Sequence, residues 1–238
     1  VFRWLLAAAC AIAYVALGVA VSHGPPPAID VAAHAAFYGR GVAAAAAFTQ
    51  AGRFPVYVAL CIALLVFGAA RRTWLRRAVS SVVVLAAAWR IGDAFKDYFE
   101  RARPEHELAF VESSYAYASS HATLALTFYA GLALYVWRAD LPLGVRTAAG
   151  LAAAAFILAQ SWSRLALGAH WLTDILGGFL LAVPFLVIQD ALTRAGPARS
   201  APPPPLSGAA GHRRGARRGR VEAAGVAAMR AATRFLAK

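Results

Sequence analysis

The sequence predicts an all-α fold, a polytopic membrane helix bundle of about six transmembrane helices, and three observations predict it. Hydrophobic residues make up 61% of the 238-residue chain, whereas soluble domains are ~45–50% apolar. The excess is gathered into blocks near the ~17–25 residues that a spanning helix needs. Basic residues stand in short clusters between the blocks, as the positive-inside rule describes.

Taken in order, Trp4 to Ser22 is the first span, preceded by Arg3 and ended by Gly24-Pro25-Pro26-Pro27. The same features suit a cleaved signal peptide; a retained span is expected because the rest of the chain is embedded. Ala32 to Gln50 is Ala-rich but carries His34, Gly39, Arg40 and Gly41. It reads as an external helix at the membrane interface. Phe54 to Ala70 is the second span, and the basic stretch Arg71 to Arg77 follows. Ala78 to about Phe95 is the third, ahead of a polar stretch from Lys96 to Ser120. His121 to Trp137, Thr147 to Trp162 and Trp171 to Ala191 complete the set.

Charge orients these spans. Arg3, Arg71 to Arg77, Arg138 with Arg146, and the C-terminal arginines fall on one side, which the positive-inside rule makes cytoplasmic, with both termini there. The ends of the third, fourth, fifth and last spans that carry polar clusters then share the outer side. The formal net charge of +13 is thereby explained by membrane placement and does not call for a nucleic-acid partner. Residues 1–194 form the membrane domain. Residues 195–238, with Pro202 to Pro205 and five arginines between Arg213 and Arg220, read as a disordered cytoplasmic tail. Within it Arg230, Arg234 and Lys238 recur four apart and suit a short amphipathic helix on anionic lipid. Cys10 and Cys61 lie inside apolar blocks and belong to no disulfide framework or metal motif.

Three polar clusters share the predicted outer face. The first runs from Lys96 to Arg103-Pro104, the second is Ala118-Ser119-Ser120-His121, and the third runs from Ser163-Arg164 through His170 to Asp174. His170 and Asp174 are four apart, on one helix face. A carboxylate accepting from one imidazole nitrogen fixes the tautomer and leaves the other nitrogen free to attack. Arg164 can fork onto phosphoryl oxygens. Ser119 or Ser120 is a good N-cap for the fourth span, whose free N–H groups form an anion site. His121, in its first turn, is placed to give a proton to a leaving oxygen. Lys96 and Arg103 add cations. Singly, such residues are caps, anchors or interfacial side chains; together on one side of a membrane, and with Asp174 inside an apolar block, they describe a site for a phosphoryl group.

These clusters resemble the three signature motifs of the type 2 phosphatidic acid phosphatase (PAP2) family, which shares its active site with vanadium haloperoxidases. The first and third fit K-x6-R-P and S-R-x5-H-x3-D at every fixed position. The second is similar to P-S-G-H, with Ala118 and Ser120 replacing Pro and Gly. The resemblance implies that Lys96, Arg103, Ser119, Arg164 and the backbone N–H of Ser120 hold the phosphoryl oxygens. It implies further that His170 attacks to form a phosphohistidine, that His121 protonates the leaving group and that Asp174 orients His170. No metal or other cofactor is implied.

The expected activity is hydrolysis of a lipid phosphate or pyrophosphate in a bacterial inner membrane, with the site facing the periplasm. Undecaprenyl pyrophosphate, phosphatidic acid, phosphatidylglycerol phosphate and lipid A phosphates all remain open, and the oligomeric state is not set. Two alternatives stand beside it: a phosphotransferase of the same family, and a non-catalytic lipid-binding or lipid-moving protein with a decayed second motif.

Overall fold

A computed structural model describes residues 1–110 and 112–194; the reading of residues 195–238 as a tail lies outside them. Nine α-helices and one π segment order this part: α1 (Phe2–Ser22), α2 (Ala28–Phe37), α3 (Val42–Ala51), α4 (Phe54–Ala70), α5 (Arg72–Phe99), α6 (Ser120–Ala125), π1 (Leu126–Ala130), α7 (Gly131–Trp137), α8 (Leu143–Ala166) and α9 (Leu172–Arg194).

Four helices, α1, α5, α8 and α9, are long and apolar enough to cross a membrane, and α3 with α4 makes a fifth if the pair, bent by 46°, counts as one span. About six are expected from the sequence. The difference lies in Ser120–Trp137, which is helical throughout but divided by π1 into pieces each shorter than a span. Large apolar side chains face outward on these helices, among them Ile12, Val19, Ile62, Val66, Leu151 and Leu158. A soluble protein rarely exposes such a surface over so wide an area, whereas lipid accepts it. The chain is therefore a multi-pass membrane protein.

Two sequence boundaries are corrected. The segment expected as one interfacial helix over Ala32–Gln50 is two helices, broken after Phe37, and α3 leads into α4 rather than lying apart from the bundle. The break is pinned from outside, because Gly39 N–H donates to Ala166 O at 2.9 Å. The basic stretch after α4 is not a loop either: α5 begins at Arg72. Arginine stems lie along apolar surface while their heads reach water, so a cluster of charges need not end a helix.

The long helix α9 lies at the centre, against α1, α5 and α6. Behind the ends of these helices that carry the polar clusters sits a core of Tyr14, Phe95, Phe99 and Tyr117. Tyr14 stacks on Tyr117 with ring centroids 5.3 Å apart. At Gly178 a Cβ would come within 2.8 Å of Ser119 O and 3.0 Å of the Ala122 Cβ. Only glycine lets the start of α6 lie this close to α9. At the other end of α9, Asp190 binds Arg3 at 3.0 Å, Arg194 at 2.7 Å and also Arg138. Basic residues from three separate stretches thus meet about one membrane thickness from the polar clusters, since α9 rises ~1.5 Å per residue.

Candidate active site

Each motif is delivered by a helix end. Lys96 lies on the last turn of α5, and Arg103 lies in the loop beyond it. Ser120 and His121 open α6. Arg164 lies in the last turn of α8, and His170 sits just before α9, which carries Asp174 in its first turn. The turn between Arg164 and His170 depends on Gly168, which has φ +69°. A left-handed residue just past a helix end lets following N–H groups fold back onto the last carbonyls. Here Ala169 N–H and His170 N–H both donate to Arg164 O, at 3.0 and 3.3 Å. This reversal brings Arg164 and His170 to one cavity.

That cavity has a volume of about 500 Å³. Six of the eight residues read from the motifs line it: Lys96, Arg103, Ser120, His121, Arg164 and His170. Asp174 stands behind His170, fully buried. Ser119 is not in the wall. It occupies the N-cap position of α6 without a side-chain cap bond, and its N–H donates to the Asp174 backbone carbonyl at 3.0 Å. Its contact is thus with α9 rather than with the cavity.

The His170 ring is held from both sides. Nδ1 is 3.3 Å from Asp174 Oδ2, and Nε2 is 3.3 Å from Arg103 Nη1. A carboxylate can only accept and a guanidinium can only donate. The proton therefore belongs on Nδ1, and the Nε2 lone pair faces the Arg103 side. Burial, then Arg103, Arg164 and Lys96, push the His170 pKa well below the ordinary histidine range, which favours the neutral ring.

Arg103 is fixed by donating to Ala169 O at 2.6 Å and to Ser114 O at 2.7 Å. The Ser114 hydroxyl also accepts from Arg103 Nη2 and from Lys96 Nζ, each at 3.2 Å. Burial is the main influence on the Arg103 pKa, and it lowers it. His121 Nε2 lies 3.3 Å from Thr49 O, which leaves Nδ1 as its unengaged nitrogen. Arg164 pairs with Glu112 at 2.9 Å.

Several participants carry no motif signal. Asp174 accepts from Trp171 N–H at 2.8 Å and also from the Arg101 guanidinium. Arg101 in turn binds Asp30 Oδ2 at 2.6 Å and Thr173 Oγ1 at 2.7 Å. Asp30 accepts from Thr173 N–H at 2.8 Å and Thr173 Oγ1–H at 2.7 Å. Arg101 lies within the first motif, at a position the pattern leaves free. Asp30 could have been noticed as the one acid in a helix whose other polar side chain is His34. Glu112, Ser114 and Thr49 offer no such signal.

Beside the polar cavity lies an apolar one of about 280 Å³ between α4 and α5. The two share Phe54, Trp89 and Leu124. Phe54 and Trp89 have ring centroids 4.5 Å apart.

Two comparisons with known proteins give a match. The PAP2 superfamily model matches residues 77–189, a segment that holds all three motifs. A similar solved structure is that of the first transmembrane PAP2 type phosphatidylglycerolphosphate phosphatase from Bacillus subtilis. The TM-score is 0.61 at 23% identity, over 81% of this chain and 92% of that one. That likeness is one of fold. No curated protein matches the chain.

Proposed function

We propose, from the premise that residues 77–189 are a PAP2 superfamily region, that this chain is a membrane phosphatase acting on a lipid phosphate or lipid pyrophosphate through a phosphohistidine. One observation carries the reading. His170 has Nδ1 beside a buried carboxylate and Nε2 turned toward a cavity that Lys96, Arg103 and Arg164 line.

In this mechanism the three cations and the Ser120 N–H, free at the start of α6, receive the phosphoryl oxygens. They meet the charge that spreads over those oxygens during transfer. Arg103 exchanges its contact with His170 Nε2 for one with a phosphoryl oxygen, which frees the lone pair for in-line attack. The Nε2–P bond forms, the bond from phosphorus to the leaving oxygen breaks, and that oxygen takes the Nδ1 proton of His121, which enters the step doubly protonated because the bound phosphate anion favours the imidazolium; His121 is left neutral with its Nε2–H still on Thr49 O. His121 then takes a proton from the water that hydrolyses the phosphohistidine. Glu112, bound to Arg164 at 2.9 Å, must give way when an anionic head group arrives. The apolar cavity beside the site supports a lipid substrate, because a hydrocarbon tail can lie between α4 and α5 while its head group reaches His170. On the charge-derived orientation the site faces the outer side of the membrane.

The test is phosphate release from a panel of lipid mono- and diphosphates by the purified protein, with and without magnesium. Wild type should release phosphate from at least one of them in the presence of a chelator, and His170→Ala should release none. Turnover by the His170 variant would end the mechanism, and a strict need for magnesium would end its metal-free form.

A further inference from the structure

We propose that Asp30 and Arg101 are positioning residues that keep a net negative charge behind the nucleophile, a deepening that rests on the His170 chemistry above. The observation is a closed, buried network whose charges do not cancel. Asp30 and Asp174 are both fully buried and Arg101 is 3% exposed. One guanidinium thus bridges two carboxylates that come from α2 and α9. With all three ionised, the set carries one negative charge.

The excess matters because of what lies on either side of His170. Toward the cavity stand Lys96, Arg103 and Arg164. When Nε2 bonds to phosphorus and the leaving oxygen departs with its electron pair, the ring keeps the Nδ1 proton and gains positive charge. The cations on the cavity side oppose that charge. Asp174 alone would favour it, yet an Arg101–Asp174 pair by itself is neutral and would leave Nδ1 facing a dipole. Asp30 restores the missing charge. It also fixes where Arg101 sits, since Arg101 Nη2 and the Thr173 N–H and hydroxyl all donate to its carboxylate. The device therefore links α2, outside the motifs, to the rate of phosphoryl transfer.

A purely structural network predicts that each further change does more harm. A charge balance predicts rescue. Asp30→Asn brings the set to zero, whereas Asp30→Asn with Arg101→Gln returns it to one negative charge through Asp174. Steady-state kinetics on one accepted lipid phosphate, with thermal unfolding of each variant, reads the difference. Asp30→Asn should lower kcat of the order of 10- to 100-fold, the scale of one unit charge acting at short range inside a protein, with KM within about twofold. The double variant should recover at least about tenfold of that loss, although it removes more native contacts. Asp30→Glu, which keeps the charge, should stay nearer wild type than Asp30→Asn.

An unchanged kcat in folded Asp30→Asn would overturn the proposal. So would a double variant no faster than the single one, or a double variant that is folded but inactive when Asp30→Asn does not fold. If neither folds, the pair is structural and the proposal falls. Failure of the underlying reading looks different: wild type would then turn over no lipid phosphate, or His170→Ala would remain active.

Discussion

Replacing Asp174 by Asn probes the orientation of the proposed nucleophile, His170, most directly. Three donors converge on this carboxylate: His170 Nδ1–H and Trp171 N–H on Oδ2, and the Arg101 guanidinium on Oδ1. An amide has one accepting oxygen and one donating nitrogen, so one side always meets a donor with a donor. If the oxygen keeps His170 and Trp171, the amide NH2 faces a guanidinium that cannot give up its proton. If the amide turns, its NH2 faces His170 and favours the tautomer with the proton on Nε2, which has no lone pair to attack with. A hydrogen bond to a charged group contributes about 1.5–3 kcal/mol, and ~1.36 kcal/mol is a factor of ten in rate. The expected fall in kcat is therefore about 10- to 150-fold. It stays below the ~10⁴-fold loss of the corresponding change in a Ser-His-Asp protease, because no hydroxyl proton has to be relayed through the histidine. Phosphate release, measured on protein whose thermal unfolding matches wild type, checks the figure. A folded Asp174→Asn variant with kcat within about twofold of wild type would refute an orienting role, since even one weak charged hydrogen bond exceeds that.

Three further outcomes follow from the same geometry. Glu112→Gln removes a carboxylate that competes with the substrate for Arg164, so KM should fall about two- to fivefold, the worth of a partly exposed ion pair, with kcat unchanged; a rise in KM would mean that Glu112 binds the head group. Ser120→Gly keeps the backbone N–H and should retain activity within about tenfold, whereas Ser120→Val sets a branched apolar group against an anion and should be far slower; equal rates for valine and serine would remove this position from the substrate's surroundings. The lowered pKa of His170 means that its protonated form gathers only well below pH 6.5, so the ring should stay neutral, and able to attack, as pH falls through 6.5. A histidine ¹⁵N NMR signal that titrates near 6.5 and vanishes in His170→Ala would contradict this.

Most of the site was legible because its chemistry is local in sequence. His170 and Asp174 meet through helical spacing, and Arg164 joins them through one turn. The resemblance then supplied roles that spacing alone left open. What escaped notice is held by contacts far apart along the chain. Arg101 reaches Asp30 across 71 residues, and Asp30 reaches Thr173 across 143. No periodicity encodes such a meeting; it appears only once α2 docks against α9. Glu112 was invisible for another reason, since an acid in an anion-binding cavity runs against the charge logic that found the cations. Among the helices, hydropathy located the apolar runs but could not place their ends. The arginines at the start of α5 are compatible with helix and loop alike, and the bend between α3 and α4 falls at Gly52 and Arg53, just after Thr49 and Gln50.

The approach of α6 to α9 at Gly178 has a mechanical consequence. His121 belongs to one of these helices and His170 lies just ahead of the other, so the distance between the two histidines is set by main chain approaching main chain with only short side chains between. Side chains hop between rotamers and cushion a helix contact as they do so. Here only short, stiff groups intervene: the Ser119 carbonyl, the Ala122 methyl and the Thr123 hydroxyl occupy the space that a side chain at Gly178 would need. The spacing therefore inherits the stiffness of hydrogen-bonded helix, and it can stay constant while the lipid around it and the aromatic rings behind it move.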